Sequence, residues 1–436
     1  MSTRRRPNNV LKPAAYGGLV RFASPIVLLA VLVALLGAAP ASASPNVRYG
    51  VLDDAWIQYG PGSLDQRLDR LQSLGIDLVR FNVAWNEVEP KQGVYDWTGY
   101  DAVIDGLHAR GIEPVLTLVA TPSWANGGHG TNWAPTSGSS FAAFAANAAK
   151  HYPFVKRWLI WNEPNQRRWL IPTTPSTYVT RLLNPAYAAI HRAHPGALVA
   201  GGVTAPRGST GGVSPVAWIA GMAAAHARLD AYAHNPYPLS PSETPFTGGC
   251  THCDTITMST LNRLIVDVKH AFGARTRIWL SEFGYQTDPP DQFLGVSDAK
   301  QALYVGEAAL RAYEAPKVDM LVQFLVQDEA SSGRWQSGVL TVHGTPKPSY
   351  EALELPLAVE SRTGRRTTLW GQVRPGSGAQ LYRLQMLRNG TWTTVGGTRR
   401  TNAHGFLTRV VNAPTGSSYR LVQASSLVAS PALTIS

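Results

Sequence analysis

From about residue 47 to residue 356 the chain alternates between short apolar runs and stretches with a helical period. Eight runs have the length and β-branched or aromatic content of buried strands: 47–53, 78–84, 113–119, 155–161, 197–203, 229–234, 277–282 and 320–326. The segments between them carry helix signals. Ser63 is placed to cap a helix with Leu64, Leu68 and Leu71 on one face, and Gly75 ends it. Residues 100–110 turn Val103, Ile104 and Leu107 inward and stop at Gly111. Further helices are expected at 141–150, 261–272 and 299–313. Eight strands, each followed by a helix, predict a (β/α)8 (TIM) barrel of α/β class. A doubly wound open sheet is the alternative, but no phosphate-type glycine fingerprint follows the first strand.

The pattern changes near residue 345. Thr345-Pro346-Lys347-Pro348 reads as a turn into a last helix, and Leu355-Pro356 as a linker. Beyond it come short β-rich runs at 368–373, 380–387, 391–395, 405–411 and 419–423, with the hairpin signal Asn389-Gly390 between two of them. Residues 44–356 are therefore expected to form the barrel, and residues 357–436 a small β-sandwich.

Residues 1–43 read differently again. Arg4, Arg5, Arg6, Lys12 and Arg21 precede an apolar run over 22–39, then Ala41-Ser42-Ala43. A basic head, an apolar middle and a small-residue end make a secretory signal peptide, which predicts a secreted or cell-wall-associated protein. An uncleaved membrane anchor is the alternative reading of the same run. Export makes the pair Cys250 and Cys253 a disulfide closing a loop rather than a zinc or redox motif. No metal and no cofactor are expected.

Charge is unevenly divided. Of the formal net charge of +11, residues 357–436 hold ten Arg against the single acid Glu360, whereas residues 44–356 are slightly acidic. A secreted basic module suits an anionic cell-wall polymer, and export argues against nucleic acid. A purely structural cap on the barrel is an equal alternative. Nothing demands an oligomer, so a monomer is expected.

In a barrel of this kind the chemistry sits at the carboxyl ends of the strands. The second strand ends with Arg80, Asn82 and Trp85; the fourth with Trp161-Asn162-Glu163-Pro164; the sixth with His234-Asn235-Pro236-Tyr237; the seventh with Ser281-Glu282-Phe283-Gly284. Two glutamates thus face one mouth from different strands. Cleavage of a glycosidic bond with retention needs such a pair, one carboxylate as nucleophile and one carboxylic acid as proton donor, about 5–5.5 Å apart. A single glutamate after a strand is more often a helix cap or a surface charge; the Trp-Asn-Glu-Pro string together with the later Ser-Glu-Phe-Gly is far more specific.

These strings resemble those of clan A glycoside hydrolases, over the whole barrel. Val79-Arg80-Phe81, Trp85, Glu89-Pro90 and Tyr95-Asp96-Trp97 are similar to stretches of families 39 and 5, and Ile160-Trp161-Asn162-Glu163-Pro164-Asn165 to the family 39 acid/base motif. The resemblance implies Glu163 as general acid/base, Glu282 as nucleophile, Asn162 on the sugar 2-hydroxyl and Arg80 supporting Glu282. Two departures accompany it. The family's His-x-Tyr after strand 6 has one extra residue here, which leaves open whether His234 or Tyr237 meets the nucleophile. The usual strand-8 Trp is absent, and Phe324 or Trp335 is expected to replace it as a sugar platform. Trp85 and Trp124 are further candidates for stacking on sugar rings, among other aromatics near the mouth that include core residues such as Trp161. The expected partner is a β-linked poly- or oligosaccharide. A transglycosylase and a non-catalytic glycan-binding or wall-attached protein are the alternatives.

Overall fold

The computed structural model describes residues 44–330 and 334–436. Eight parallel strands close into a barrel in sequence order: β1 (Arg48–Leu52), β2 (Leu78–Ala84), β3 (Glu113–Val119), β4 (Arg157–Ile160), β5 (Leu198–Thr204), β6 (Ala231–His234), β7 (Arg277–Phe283) and β8 (Val318–Phe324). Closure comes from β1 pairing with β8 in register from Arg48↔Met320 to Leu52↔Phe324. One main helix follows each strand: α1 (Leu64–Ser73), α2 (Thr98–Ala109), α3 (Gly138–His151), α4 (Asn184–Ala193), α5 (Pro215–Ala224), α6 (Leu261–Phe272), α7 (Asp298–Glu314) and α8 (Pro348–Glu354).

Local chemistry sets the helix starts. Ser63 and Gln66 form a capping box at α1, and Ser137, Ser214 and Ser297 cap α3, α5 and α7 through their hydroxyls. Pro215 and Pro348 occupy first-turn positions, where a missing N–H is harmless.

Strand alternation then divides the apolar residues between two cores. Leu78, Val115, Leu159, Ala231, Trp279 and Met320 fill the barrel interior. Val79, Phe81, Val83, Leu116 and Leu118 point outward and pack under the helices. Arg80 has Leu78's inward parity, so a charged side chain enters the barrel with only its upper end left to solvate it.

Two strands depart most from their apolar runs, β4 by length and β8 by position. β4 loses 155–156 to a turn in which Val155 donates to the Tyr152 carbonyl, and Trp161 leaves the ladder with φ 70°. β8 begins and ends two residues early, because the amides of Val326 and Gln327 donate to the Asp53 carboxylate instead of a strand.

Two residues beyond α8 the chain enters antiparallel sheets. One has the order β14 (Phe406–Asn412), β10 (Arg366–Gln372), β9 (Leu357–Thr363). The other has the order β12 (Thr391–Thr394), β11 (Leu381–Arg388), β15 (Ser418–Gln423), β16 (Leu433–Thr434), with β13 (Arg399–Arg400) also paired to β11. Leu369, Tyr382, Leu384, Leu407, Tyr419 and Leu421 pack between them as a separate core. The sequence pattern misses β9, whose Glu-Ser-Arg-Thr end is polar, and the two-residue strands β13 and β16. Trp370 and Phe406 pack on Tyr313 of α7, at centroid distances of 5.4 and 4.7 Å, which seats this sandwich on the barrel.

Among the described residues no helix is long and apolar enough to cross a membrane. The expected export segment, 1–43, lies outside them. Cys250 and Cys253 form a disulfide in the loop between β6 and α6.

Candidate active site

Arg80 is the centre of the barrel mouth. Its side chain is fully buried and makes four directed bonds: Nε to Thr117 Oγ1 (3.0 Å), Nη1 to the Ser281 carbonyl (3.0 Å) and to Glu282 Oε1 (2.7 Å), and Nη2 to Asn162 Oδ1 (2.9 Å). One rigid guanidinium thus fixes groups from β3, β7 and the end of β4 in a single plane. Its pairing with Glu282 is sheltered from water. Tyr237 donates its hydroxyl to the other oxygen, Oε2, at 3.1 Å.

Glu282 reaches this position through a break in strand register. Leu280 pairs with Leu321 but Phe283 with Gln323, so β7 has one residue more than β8 over that span. Such a bulge re-aims side chains, here turning Ser281 and Glu282 both toward the mouth.

Glu163 sits on strained backbone. Its φ is 39° and that of Trp161 is 70°, left-handed values that cost a non-glycine residue on the order of 1 kcal/mol or more. The surrounding sheet holds them, with Trp161 N–H on the Leu118 carbonyl and Glu163 N–H on the Val203 carbonyl, both at 2.9 Å. Oε1 of Glu163 accepts from Asn235 Nδ2 at 3.1 Å, and Asn235 Oδ1 accepts from Ser281 Oγ at 2.7 Å. Burial, and then the charge of Glu282, push the Glu163 carboxyl up to about 7, against the pull of Asn235, Arg80 and the Trp169 side chain. The pair is therefore chemically unequal: Glu163 holds its proton near neutrality, while Glu282 is bonded to a permanent cation.

The structure brings together Glu163, Glu282, Arg80, Asn162 and Tyr237. Phe324 and the partly exposed Trp335 pack around Tyr237, Trp335 at 5.0 Å and Phe324 edge-on at 6.3 Å, and so form an aromatic wall beside Glu282. Three other expected residues stand elsewhere. Trp85 is fully buried, stacked on Phe144 at 5.5 Å with its N–H on Glu89, because a short helix (Trp85–Val88) folds it back under α3. His234 is also fully buried, and both ring nitrogens are used, by Thr204 Oγ1 at 2.8 Å and the Ile256 carbonyl at 3.0 Å. Burial lowers its pKa to about 4, so it is a neutral internal brace. With the extra residue after strand 6, it is Tyr237 and not His234 that contacts Glu282. Trp124 is half-buried, edge-on to Trp85, with its N–H on the Glu89 carbonyl at 2.9 Å.

Sequence reasoning missed Asn235, Ser281 and the Asp54–Asn82 pair. Asp54 accepts from Asn82 Nδ2 at 2.7 Å close to Arg80, and burial raises its carboxyl to about 7. The signal for Asn235 was present, an amide directly after the sixth strand as Asn162 is after the fourth; Asp54 carries none, since an acid after a strand usually caps a helix. Among the described residues no group of His, Cys, Asp and Glu is arranged to hold a metal ion.

Residues 55–134 match the family model described as beta-galactosidase, glycoside hydrolase family 42. Over 106 residues the chain is 29% identical to a protein of Oryza sativa subsp. japonica named probable inactive beta-glucosidase 14, and 31% identical to raucaffricine-O-beta-D-glucosidase of Rauvolfia serpentina. Each match takes in 22% of this chain, and 20% and 19% of those proteins, so the chain matches about a fifth of the curated relatives' length. A family 39 glycoside hydrolase from the gut symbiont Bacteroides cellulosilyticus WH2 superimposes with a TM-score of 0.61 at 18% identity, over 88% of this chain and 82% of that one. At that identity the likeness establishes a shared fold. The chain resembles clan A glycoside hydrolases in sequence over the first part of the barrel, and in architecture along most of its length.

Proposed function

We propose that the chain is a secreted retaining glycoside hydrolase that cleaves a β-linked poly- or oligosaccharide by double displacement, with Glu163 as general acid/base and Glu282 as nucleophile. The reading rests on one arrangement: Arg80 holds Glu282 as an oriented carboxylate while the adjacent Glu163 is raised to about 7.

In the first step a Glu282 oxygen attacks the anomeric carbon as the glycosidic bond breaks. The Glu163 proton passes to the departing oxygen. The glycosyl–Glu282 ester retains the sugar, and the leaving alcohol departs neutral. In the second step the Glu163 carboxylate takes a proton from water, the hydroxide oxygen attacks the anomeric carbon, and Glu282 is released as a carboxylate. Asn162, whose Oδ1 is held by Arg80, has its Nδ2 without a partner among the described residues, and this N–H is offered to the sugar 2-hydroxyl. Trp335 and Phe324 supply the apolar wall for the ring at the point of cleavage.

Proton NMR of the first-formed product tests the stereochemistry, and retention of the substrate's anomeric configuration is expected. Glu282→Ala with azide is expected to yield a glycosyl azide of the opposite configuration. A first-formed product of inverted configuration would sink the double-displacement assignment.

A non-catalytic glycan-binding role has the basic C-terminal sandwich in its favour, with ten Arg against the single acid Glu360. Unimpaired biological function in a Glu163→Ala, Glu282→Ala double variant would select it. Export follows from residues 1–43, and N-terminal sequencing of protein recovered from culture medium is expected to begin at Ser44.

A further inference from the structure

The C-terminal sandwich has two unlike sheets. The sheet of β14, β10 and β9 is seated on the barrel through Trp370 and Phe406. The other sheet turns its outer face away from its own core. Along β11, Tyr382 and Leu384 are buried inward, so Leu381, Arg383, Gln385 and Leu387 point outward. Register adds neighbours on that side: Trp392 lies opposite Leu387, Arg400 opposite Leu381, and Arg420 opposite Gln385.

Charge on this face is of one sign. Glu360 is the last acidic residue of the chain, so no carboxylate side chain follows it anywhere in the sheet. The arginines are held without being neutralised. Arg420 donates Nε to Gln385 Oε1 at 2.8 Å, and its guanidinium lies 4.5 Å from the centre of the Trp392 ring. Arg383 donates Nε to Thr398 Oγ1 at 3.2 Å. Among the described residues neither arginine uses its two terminal nitrogens within the protein, so each presents a pre-set fork of N–H donors. Such forks match carboxylates in a bidentate manner. Arg383 and Arg420 are diagonal neighbours on adjacent strands, about 7–8 Å apart at the backbone. Leu381 and Leu387 are exposed at 44% and 38%, which leaves apolar surface on either side of the two cations.

We propose that this face binds an acidic polysaccharide, its carboxylates on Arg383 and Arg420 and a sugar face on the Trp392–Leu387 surface. Charge complementarity identifies a polyanion. The choice of a glycan over other polyanions rests on the glycosidase reading of the barrel, to which a tethered binding face would bring substrate at high effective concentration.

The test uses the full chain in affinity electrophoresis through gels containing polygalacturonate, neutral dextran, or single-stranded DNA, and in flotation with anionic phosphatidylglycerol vesicles. Retardation is expected in polygalacturonate and to weaken steeply with salt. Arg383→Gln with Arg420→Gln is expected to weaken it about tenfold, a loss of about 1.4 kcal/mol. Arg365→Gln with Arg366→Gln, which removes the same charge from the other sheet, is expected to weaken it less than about threefold. Arg383→Lys with Arg420→Lys keeps the charge, so a partial loss is expected, and this pair keeps the question open to test if the glutamine pair fails to fold. Equal losses from the two charge-matched pairs would reduce the effect to net charge and overturn the site. Stronger retention by DNA or vesicles would overturn the choice of a glycan. Binding is read without turnover, and polygalacturonate is α-linked, so its retention tests the binding face alone; absence of hydrolysis across a panel of β-linked substrates defeats the glycosidase reading and leaves the binding face standing.

Discussion

Glu163 and Glu282 are both glutamates at strand ends, yet their surroundings differ: Glu282 is bonded to Arg80, and Glu163 accepts from the neutral Asn235. Glu163 has a folded pKa near 7 against an ordinary value of 4.5, with burial and the neighbouring Glu282 as the causes. A carboxyl raised in the fold must be protonated to donate, so kcat/KM is expected to fall as pH rises through about 7, and a pH–rate profile of the free enzyme checks this. The same shift acts on stability. The native state binds this proton more tightly than the unfolded chain, so this group's contribution is present below about 4.5 and is lost as pH rises through about 7. Glu163→Gln removes the titration. Relative to wild type, the variant is expected to gain stability from pH 5 to pH 8 in urea denaturation while losing about 10²–10⁴ in rate on substrates with poor leaving groups. For Arg80, four bonds fix the group in place. Arg80→Lys cannot reproduce the fork, and a kcat loss of roughly 10²–10³ with a smaller change in KM is expected from steady-state kinetics.

At the scale of elements, the loops after β7 and β8 are held by a buried ion pair. Lys347 Nζ contacts Asp328 at 2.7 Å, Thr287 Oγ1 at 2.9 Å and the Gln336 carbonyl at 3.3 Å, while Asp328 Oδ1 also accepts from Gly338 N–H. Gln336 is next to Trp335, whose ring lies against Tyr237, and Tyr237 bonds Glu282. The pair therefore acts on the mouth through the loop that carries the aromatic wall. Lys347→Met leaves Asp328 buried without its cation, and a loss of about 3–5 kcal/mol is expected in chemical denaturation. Adding Asp328→Asn is expected to recover part of it. Lysine in Thr345-Pro346-Lys347-Pro348 looks like an ordinary turn residue, and no periodicity marks it as buried.

For the whole molecule, the two parts meet at a seam at the barrel's amino-terminal end. Arg374 is fully buried there, 4.0 Å from the centre of the Tyr49 ring, with its guanidinium on Gln372 Oε1 and the Leu353 carbonyl. Gly75, which ends α1 with φ 66°, lies so close to Arg374 and Pro375 that a side chain there would collide with backbone. Trp370 fills the adjoining space against Tyr313 and Phe406. Trp370→Ala is expected to cost about 3–5 kcal/mol and to split a single thermal transition into two in calorimetry, since the seam couples the barrel to the sandwich. With the seam on one end and the mouth on the other, the sandwich joins the barrel away from the glutamates.

What the sequence determined by itself is what local rules can carry. Period 2 and period 3.6, capping serines and terminal glycines give the alternation of eight strands with helices, and the strings around β2, β4 and β7 mark Arg80, Asn162, Glu163 and Glu282, because adjacent residues specify the type of element, though not always where it stops. Tertiary structure alone decided which of the neighbouring polar groups serve the mouth. The β7 bulge turns Glu282, the residues after β6 bring Tyr237 and not His234 to Glu282, and a four-residue helix takes Trp85 into the core. Each depends on register between strands distant in sequence, and a shift of one residue exchanges the inner and outer faces of a strand, which no single segment encodes. The same holds for the raised proton affinity of Glu163, whose charged neighbour lies on another strand and whose burial is supplied by the closed barrel.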